Sequence, residues 1–261
     1  MMKRILTFLL STALILSGFP MTSGIESHAA EKHWADQYLN NLVRNDIMRG
    51  DLQGNLHPNN NITRAEFVTM INRAFGYTQK GKGNFADVDK NAWYSDDISI
   101  AKNQGYMQGV AANKAEPESS LTREQAVTLI CRALKIEGVD SDTFKFSDSR
   151  EFSQWSKEYI NAITNKKIVN GYPDSTFKPG NKMTRGEMAK VLSNLAGEIV
   201  KEKGDNYIGY ADKNVSMVKT GANLRDTIIP GDLFITAGLG KGASILDKVT
   251  VNGDLIISGT G

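Results

Sequence analysis

The strongest constraint on this chain is that it repeats itself. Thr63-Arg64-Ala65-Glu66 returns as Thr122-Arg123-Glu124-Gln125 and again as Thr184-Arg185-Gly186-Glu187. The arginines lie 59 and 62 residues apart, and the same two spacings separate Trp34, Trp93 and Trp155, and Gly50, Gly109 and Gly171. Three unrelated residue types keeping one register define a structural unit of about sixty residues, used three times. A chain of this kind buries its apolar faces by packing one unit on the next.

Each unit reads as two helices joined by a loop. The leading Trp opens an apolar pattern: Trp34, Tyr38, Leu42 and Ile47 in the first unit, Trp93, Ile98 and Met107 in the second, Trp155, Ile160, Ile163 and Ile168 in the third. The loop starts at the repeated glycine and is rich in turn formers, as in Gly171-Tyr172-Pro173-Asp174-Ser175. The second helix opens at the repeated threonine. Thr63 with Glu66, Thr122 with Gln125 and Thr184 with Glu187 each have the spacing of a capping box. Behind each box the apolar residues recur at helical intervals: Phe67, Met70, Ile71, Ala74; Ala126, Leu129, Ile130, Ala133; Met188, Val191, Leu192, Leu195. Cys131 aligns with the polar Asn72 and Ser193, which predicts an incidental flank residue rather than a redox centre.

Two residues of the unit need more than a helical explanation. An arginine in the first turn opposes the helix dipole. Pointing outward beside free backbone N–H groups, it would form a site for a carboxylate or phosphate; alternatively it pairs with a carboxylate of a neighbouring unit. The tryptophans are equally open to two readings, as interface residues or as surfaces on which a sugar ring stacks.

The remaining features bound the setting. Lys3 and Arg4, an apolar run from Ile5 to Leu16 and the small residues Ser27 and Ala29 follow the order of a secretory signal peptide, residues 1–29, with cleavage after Ala29. With a single cysteine among 261 residues, no intramolecular disulfide forms, and a net charge of +2 argues against a strong basic field for nucleic acid. The three histidines have no ligand spacing, and no catalytic triad, nucleotide-binding glycine loop or zinc motif is evident. The expectation is a chain that is not an enzyme and carries no metal or cofactor. From Asn214 the sequence turns β-branched and Gly-rich. Gly231-Asp232-Leu233-Phe234-Ile235 recurs 22 residues later as Gly253-Asp254-Leu255-Ile256-Ile257, which predicts coils of a β-solenoid broken off in the second coil, or else a small hairpin.

Together the Thr-Arg-Ala-Glu-like box, the Gly-Tyr-x-Asp-x-Thr-Phe-x-Pro loop and the leading Trp resemble S-layer homology (SLH) domains. The resemblance divides the chain into units at residues 30–81, 82–142 and 143–204, with a β-rich tail at 205–261. It implies a mainly α, pseudo-three-fold helical assembly whose grooves between units bind a pyruvylated secondary cell wall polysaccharide. The site residues it implies are Arg64, Arg123 and Arg185, pairing with the pyruvyl carboxylate, and Trp34, Trp93 and Trp155, forming the grooves. The aspartates of the Phe-x-Asp triplets, Asp87 and Asp148, and of Tyr210-Ala211-Asp212 belong to the same set. The location it implies is the cell wall or S-layer, with no membrane contact after signal cleavage and with room for self-association in a surface lattice. The alternative is a wall-anchored polysaccharide-degrading enzyme whose catalytic part lies beyond residue 261.

Departures from the pattern set further expectations. The second unit has Glu124 and Gln125 in its box, and its loop lacks the Tyr, Asp and Phe, so its groove is expected to be the weakest and that of the third unit the strongest. Glu124 is placed to neutralise Arg123. The first unit lacks the Phe-x-Asp triplet, and Tyr210 to Asp212 is expected to dock there in its stead.

Overall fold

The computed structural model describes residues 32–140 and 144–258; the expected signal peptide lies outside them. Among the described residues six α-helices are followed by seven short strands. The helices are α1 (Asp36–Arg44), α2 (Arg64–Phe75), α3 (Ser95–Asn103), α4 (Arg123–Leu134), α5 (Lys157–Asn165) and α6 (Arg185–Ala196). All three expected capping boxes are present. The Thr63, Thr122 and Thr184 hydroxyls accept from the N3 amides at 3.2–3.3 Å, and the Glu66, Gln125 and Glu187 side chains accept in return from the threonine amides. These boxes start α2, α4 and α6 at the arginine in every unit.

Packing runs between units as well as within them. Helix α3 lies against α2, α5 against α4 and α1 against α6, so each second helix carries the first helix of another unit. At the centre three backbone hydrogen bonds close on themselves: Ile62 N–H donates to Met183 O (2.9 Å), Met183 N–H to Leu121 O (3.0 Å) and Leu121 N–H to Ile62 O (3.1 Å). All three side chains are buried in one apolar core. Cys131 belongs to that core rather than to its flank. Burial raises its thiol to about 12, which leaves it inert.

The strands are β1 (Glu198–Val200), β2 (Gly204–Tyr207), β3 (Val215–Met217), β4 (Ala222–Ile229), β5 (Leu233–Ile235), β6 (Leu246–Val251) and β7 (Leu255–Ile257). They form two parallel sheets, β1-β3-β5-β7 and β2-β4-β6. Adjacent paired strands that are all parallel exclude a hairpin and define a solenoid of about three coils. The register advances from Glu198 to Val215, Leu233 and Leu255, so only the last step has the 22-residue period seen in the sequence; the earlier steps are 17 and 18. The β region also begins ahead of residue 205, directly on α6.

The solenoid finishes that helix. A helix leaves its last carbonyls unpaired; here Asn214 Nδ2 donates to Asn194 O and Leu195 O, and Ser216 Oγ to Ala196 O at 2.7 Å. The same asparagine starts a ladder along the coils, in which Asn214 Oδ1 accepts from Asp232 N–H and Asp232 Oδ1 from Asp254 N–H, each at 2.8 Å. Phe234 enters the helical core, 6.4 Å from Phe75 between ring centroids. Gly76 and Gly238 allow this approach, because a Cβ on Gly238 would meet Val218 O at 2.2 Å.

Candidate functional site

The arginine at the start of each second helix does not point outward. Arg64, Arg123 and Arg185 are only 4, 6 and 9% exposed. The N–H groups expected to be free beside them are also taken. Arg64 N–H and Ala65 N–H donate to Ser119 O and Pro117 O, Arg123 N–H and Glu124 N–H to Asn181 O and Pro179 O, and Arg185 N–H and Gly186 N–H to Asn60 O and Pro58 O. Each helix start is therefore docked on the loop of a different unit, in cyclic order. That loop presents carbonyl oxygens, which explains a cation at the positive end of a helix: Nε of Arg64, Arg123 and Arg185 donates to Ala115 O, Phe177 O and Leu56 O at 2.7–2.9 Å.

The expected aspartates stand behind this contact. Asp87 accepts Ala115 N–H and Glu116 N–H, both at 2.8 Å, and Asp148 accepts Phe177 N–H (2.9 Å) and Lys178 N–H (2.7 Å). In each pair one peptide unit of the loop is braced by the carboxylate while the carbonyl of the same residue receives the arginine. Burial opposes ionisation of Asp87, but the Ala115 and Glu116 amides outweigh it and hold the carboxyl below its usual range. These aspartates brace the loop, with both oxygens already engaged. Asp212 has neither task. Tyr210 pairs with Ile228 of the solenoid and Asp212 N–H faces Glu198, and among the described residues no hydrogen bond joins this segment to the first unit. In the first unit Asp51 ties its own loop, accepting from the Gln53 and Asn55 amides and facing the His57 ring, and does not reach the Leu56 peptide that receives Arg185.

Three grooves result, each about 370–420 Å³. One brings together Arg185, Glu66, Gly50 and Trp93; the second Arg64, Gln125, Gly109 and Trp155; the third Arg123, Glu187, Gly171 and Trp34. Every groove thus takes its arginine, its glycine loop and its indole from three different units. The glycines are required by the folding back of the loops, since a Cβ on Gly109 would meet Lys114 O at 2.5 Å and one on Gly171 would meet Phe146 Cε1 at 2.3 Å. Trp34, Trp93 and Trp155 are 50, 61 and 46% exposed, so each indole presents apolar surface to solvent, with Lys190 Nζ over the Trp34 ring.

The grooves differ in charge. Arg185 pairs with the carboxylate of Glu66 and also donates to Arg49 O. Arg123 lies 4.0 Å from Glu187, which also accepts the Tyr172 hydroxyl at 2.8 Å, and its guanidinium stacks over the Tyr172 and Phe177 rings. Glu124 does not neutralise Arg123; it accepts from Ser153 and Ser156 at the start of α5. Sequence reasoning missed that the last residue of the box, Glu66, Gln125 or Glu187, lines a groove as well as capping a helix. The signal was available: Glu66, Thr69 and Arg73 fall on one face of α2, as Gln125, Thr128 and Arg132 do on α4, and each set lines one groove. Among the described residues no cluster of three or more His, Cys, Asp or Glu is placed to hold a metal, and no helix is long and apolar enough to cross a membrane.

The family model described as S-layer homology domain matches residues 27–68, 84–127 and 145–189, each of the three units in turn. Among curated proteins the chain is similar to a surface-layer 125 kDa protein of Lysinibacillus sphaericus, 29% identical over 189 residues, covering 70% of this chain and 16% of that protein. It is also similar to an amylopullulanase of Thermoanaerobacterium thermosulfurigenes, 31% identical over 62% of this chain and 9% of the enzyme. A third relative is a cellulosome-anchoring protein of Acetivibrio thermocellus, 26% identical over 56% of this chain and 34% of that protein. The chain therefore spans a small fraction of the length of these relatives.

Proposed function

Because the chain belongs to the S-layer homology domain family, we propose that it holds an exported protein on the bacterial cell wall by binding an acidic, pyruvylated secondary cell wall polysaccharide in the grooves between its units. The family places the chain at the cell surface. The observation that carries the rest of the reading is the make-up of the grooves: in each, a buried guanidinium faces an exposed indole contributed by another unit. A guanidinium held by loop carbonyls keeps further N–H donors for a carboxylate, and an indole offers a flat apolar face to a sugar ring. A ligand both acidic and saccharide in character satisfies both walls. Arg64, Arg123 and Arg185 are the proposed carboxylate partners and Trp34, Trp93 and Trp155 the proposed stacking residues. Asp87 and Asp148 act by fixing the loops, and Asp212 has no place in this reading. The three grooves are related by a pseudo-three-fold axis in this proposal, supported by the closed set of hydrogen bonds through Ile62, Leu121 and Met183.

The test is co-sedimentation of the purified chain with cell-wall sacculi. Binding is expected to disappear when pyruvyl groups are stripped from the polymer or when all three arginines are replaced. Retention in either case would sink the carboxylate chemistry. A second reading rests on the amylopullulanase and on an exoglucanase, XynX, of Acetivibrio thermocellus among the relatives: the same anchor would then hold a glycan-degrading part located elsewhere in the protein.

A further inference from the structure

We infer that the cleft where the helical region meets the first coil of the solenoid is a second glycan site, separate from the three grooves, and that it takes uncharged sugar units bearing hydroxyl and acetamido groups. The inference rests on the polysaccharide reading above only for the source of those sugars.

The cleft lies between the C-terminal ends of α1 and α6 on one side and β1, β2 and the segment leading to β3 on the other. Its volume of about 510 Å³ exceeds that of each groove. That is within the span of roughly 300–1,000 Å³ common to small-molecule sites.

Its helical wall is a relay of partly buried polar side chains that runs in one direction. Asn45 Nδ2 donates to Asn41 O and Oδ1 at 3.0 and 2.9 Å, and Asn41 Nδ2 donates to Ser193 Oγ at 2.6 Å. The relay occupies its inner groups and leaves one at each end, the Asn45 Oδ1 acceptor and the Ser193 hydroxyl proton. Hydroxyl and acetamido groups both donate and accept, so they match such a wall.

The solenoid wall supplies an aromatic ring and a free carboxylate. Tyr207 is 64% exposed. Its neighbour in the sheet, Arg225, is held between Asp205 and Asp247. Asp212 N–H faces Glu198, while the Asp212 carboxylate meets no protein donor among the described residues. A carboxylate only accepts, which suits ligand hydroxyls. Glu198 and Asp212 outnumber Lys213 here, whereas cations are in excess along each arginine groove. The cleft thus favours an uncharged sugar, stacked on Tyr207 and held by its hydroxyls.

Position identifies the glycan that reaches it. Asp212 and Lys213 also border a hollow of about 400 Å³ beside the end of α5. Ile168, Asn170 and Asn194 are shared between that hollow and the groove of Trp34. A polysaccharide leaving the Trp34 groove crosses the hollow and meets the cleft next.

The experiment is an amide-correlation NMR titration of the purified chain with the uncharged tetrasaccharide of N-acetylglucosamine. Shifts are expected to concentrate at Asn41, Asn45 and residues 206–213. Tyr207→Ala is expected to weaken binding about fivefold or more, and Asp212→Ala about threefold. Both side chains are exposed, so the fold is kept, and a thermal melt checks this. No binding, shifts confined to the three grooves, or unchanged affinity in the Tyr207→Ala/Asp212→Ala double variant would each overturn the inference. Co-sedimentation then separates the sources of the sugar. Sacculi that carry the secondary polymer are expected to retain wild type better than the double variant, and a difference seen equally on sacculi stripped of it would make the peptidoglycan glycan the occupant and overturn the path from the Trp34 groove. If wild type ignores both preparations, the polysaccharide reading falls while the titration still decides the cleft.

Discussion

The guanidinium of Arg185 rests on the carboxylate of Glu66, 119 residues earlier in the chain. This pair closes the helical region, because it joins the start of α6 to the start of α2 while Arg185 also holds Leu56 O and Arg49 O of the first unit's loop. Breaking one side of a largely buried pair leaves an uncompensated charge. Arg185→Ala is expected to destabilise the protein by about 3 kcal/mol, toward the low end of buried pairs because Glu66 is partly exposed. Urea titration measures this. A smaller loss in Glu66→Ala/Arg185→Ala than the sum of the singles would demonstrate the coupling, and strict additivity would refute it.

The tryptophans give the opposite signature. Trp93 is more than half exposed and opens α3 without entering the core. Trp93→Ala is expected to change stability by no more than about 0.5 kcal/mol, while binding to sacculi weakens several-fold. A large drop in melting temperature would instead make the indole an interface residue and remove it from the binding argument.

What the sequence carried, and what it hid, follows from the range of the interactions. Capping boxes and helical stripes are local, so Thr63 to Glu66 and its two echoes were legible with correct boundaries. The grooves were not, because Arg64 meets Trp155 only after the helices have been exchanged between units, and spacing along the chain says nothing of that exchange. The arginine's burial was hidden for the same reason: its Nε is held by loop carbonyls, which have no sequence signature, whereas pairing with a neighbouring unit's carboxylate, one of the two readings of the sequence, is met by Arg185 and Glu66. The first two solenoid coils escaped because Glu-Ile-Val, Val-Ser-Met and Leu-Phe-Ile share a register but not a motif. Only the Gly-Asp corners at Asp232 and Asp254, used in the side-chain ladder, repeat visibly.

Acid is expected to weaken the loops before the helices. Asp174 is held at about 2 by hydrogen bonds from Thr176 and Lys178, and Asp51 at about 2 by His57 and the Asn55 amide. Both values lie below the unfolded value of about 3.9. The unfolded chain therefore takes up these protons first, and the stability they contribute, complete above about pH 4, is lost as the pH falls toward 2. Urea midpoints taken from pH 5 to pH 2.5 should fall in wild type and fall less steeply in Asp51→Asn/Asp174→Asn. Equal slopes would show that these loop carboxylates are not protonated differently in the two states.

Phe234 tests whether the solenoid and the helices are one cooperative body. Its ring belongs to the helical core although its backbone belongs to β5, and the last carbonyls of α6 are completed by Asn214 and Ser216 at the start of β3. Neither region satisfies its own end without the other, so wild type is expected to unfold in a single transition. All three tryptophans lie in the helical units, so their fluorescence follows those units alone, whereas far-ultraviolet circular dichroism follows both regions. Phe234→Ala removes a buried aromatic ring and should cost about 3–5 kcal/mol. With the contact to Phe75 gone, the coils should loosen first and the two probes should separate. Two transitions already in wild type, or coincident probes in the variant at unchanged midpoint, would mean that the solenoid is merely tethered and that the caps on α6 do not couple the two regions.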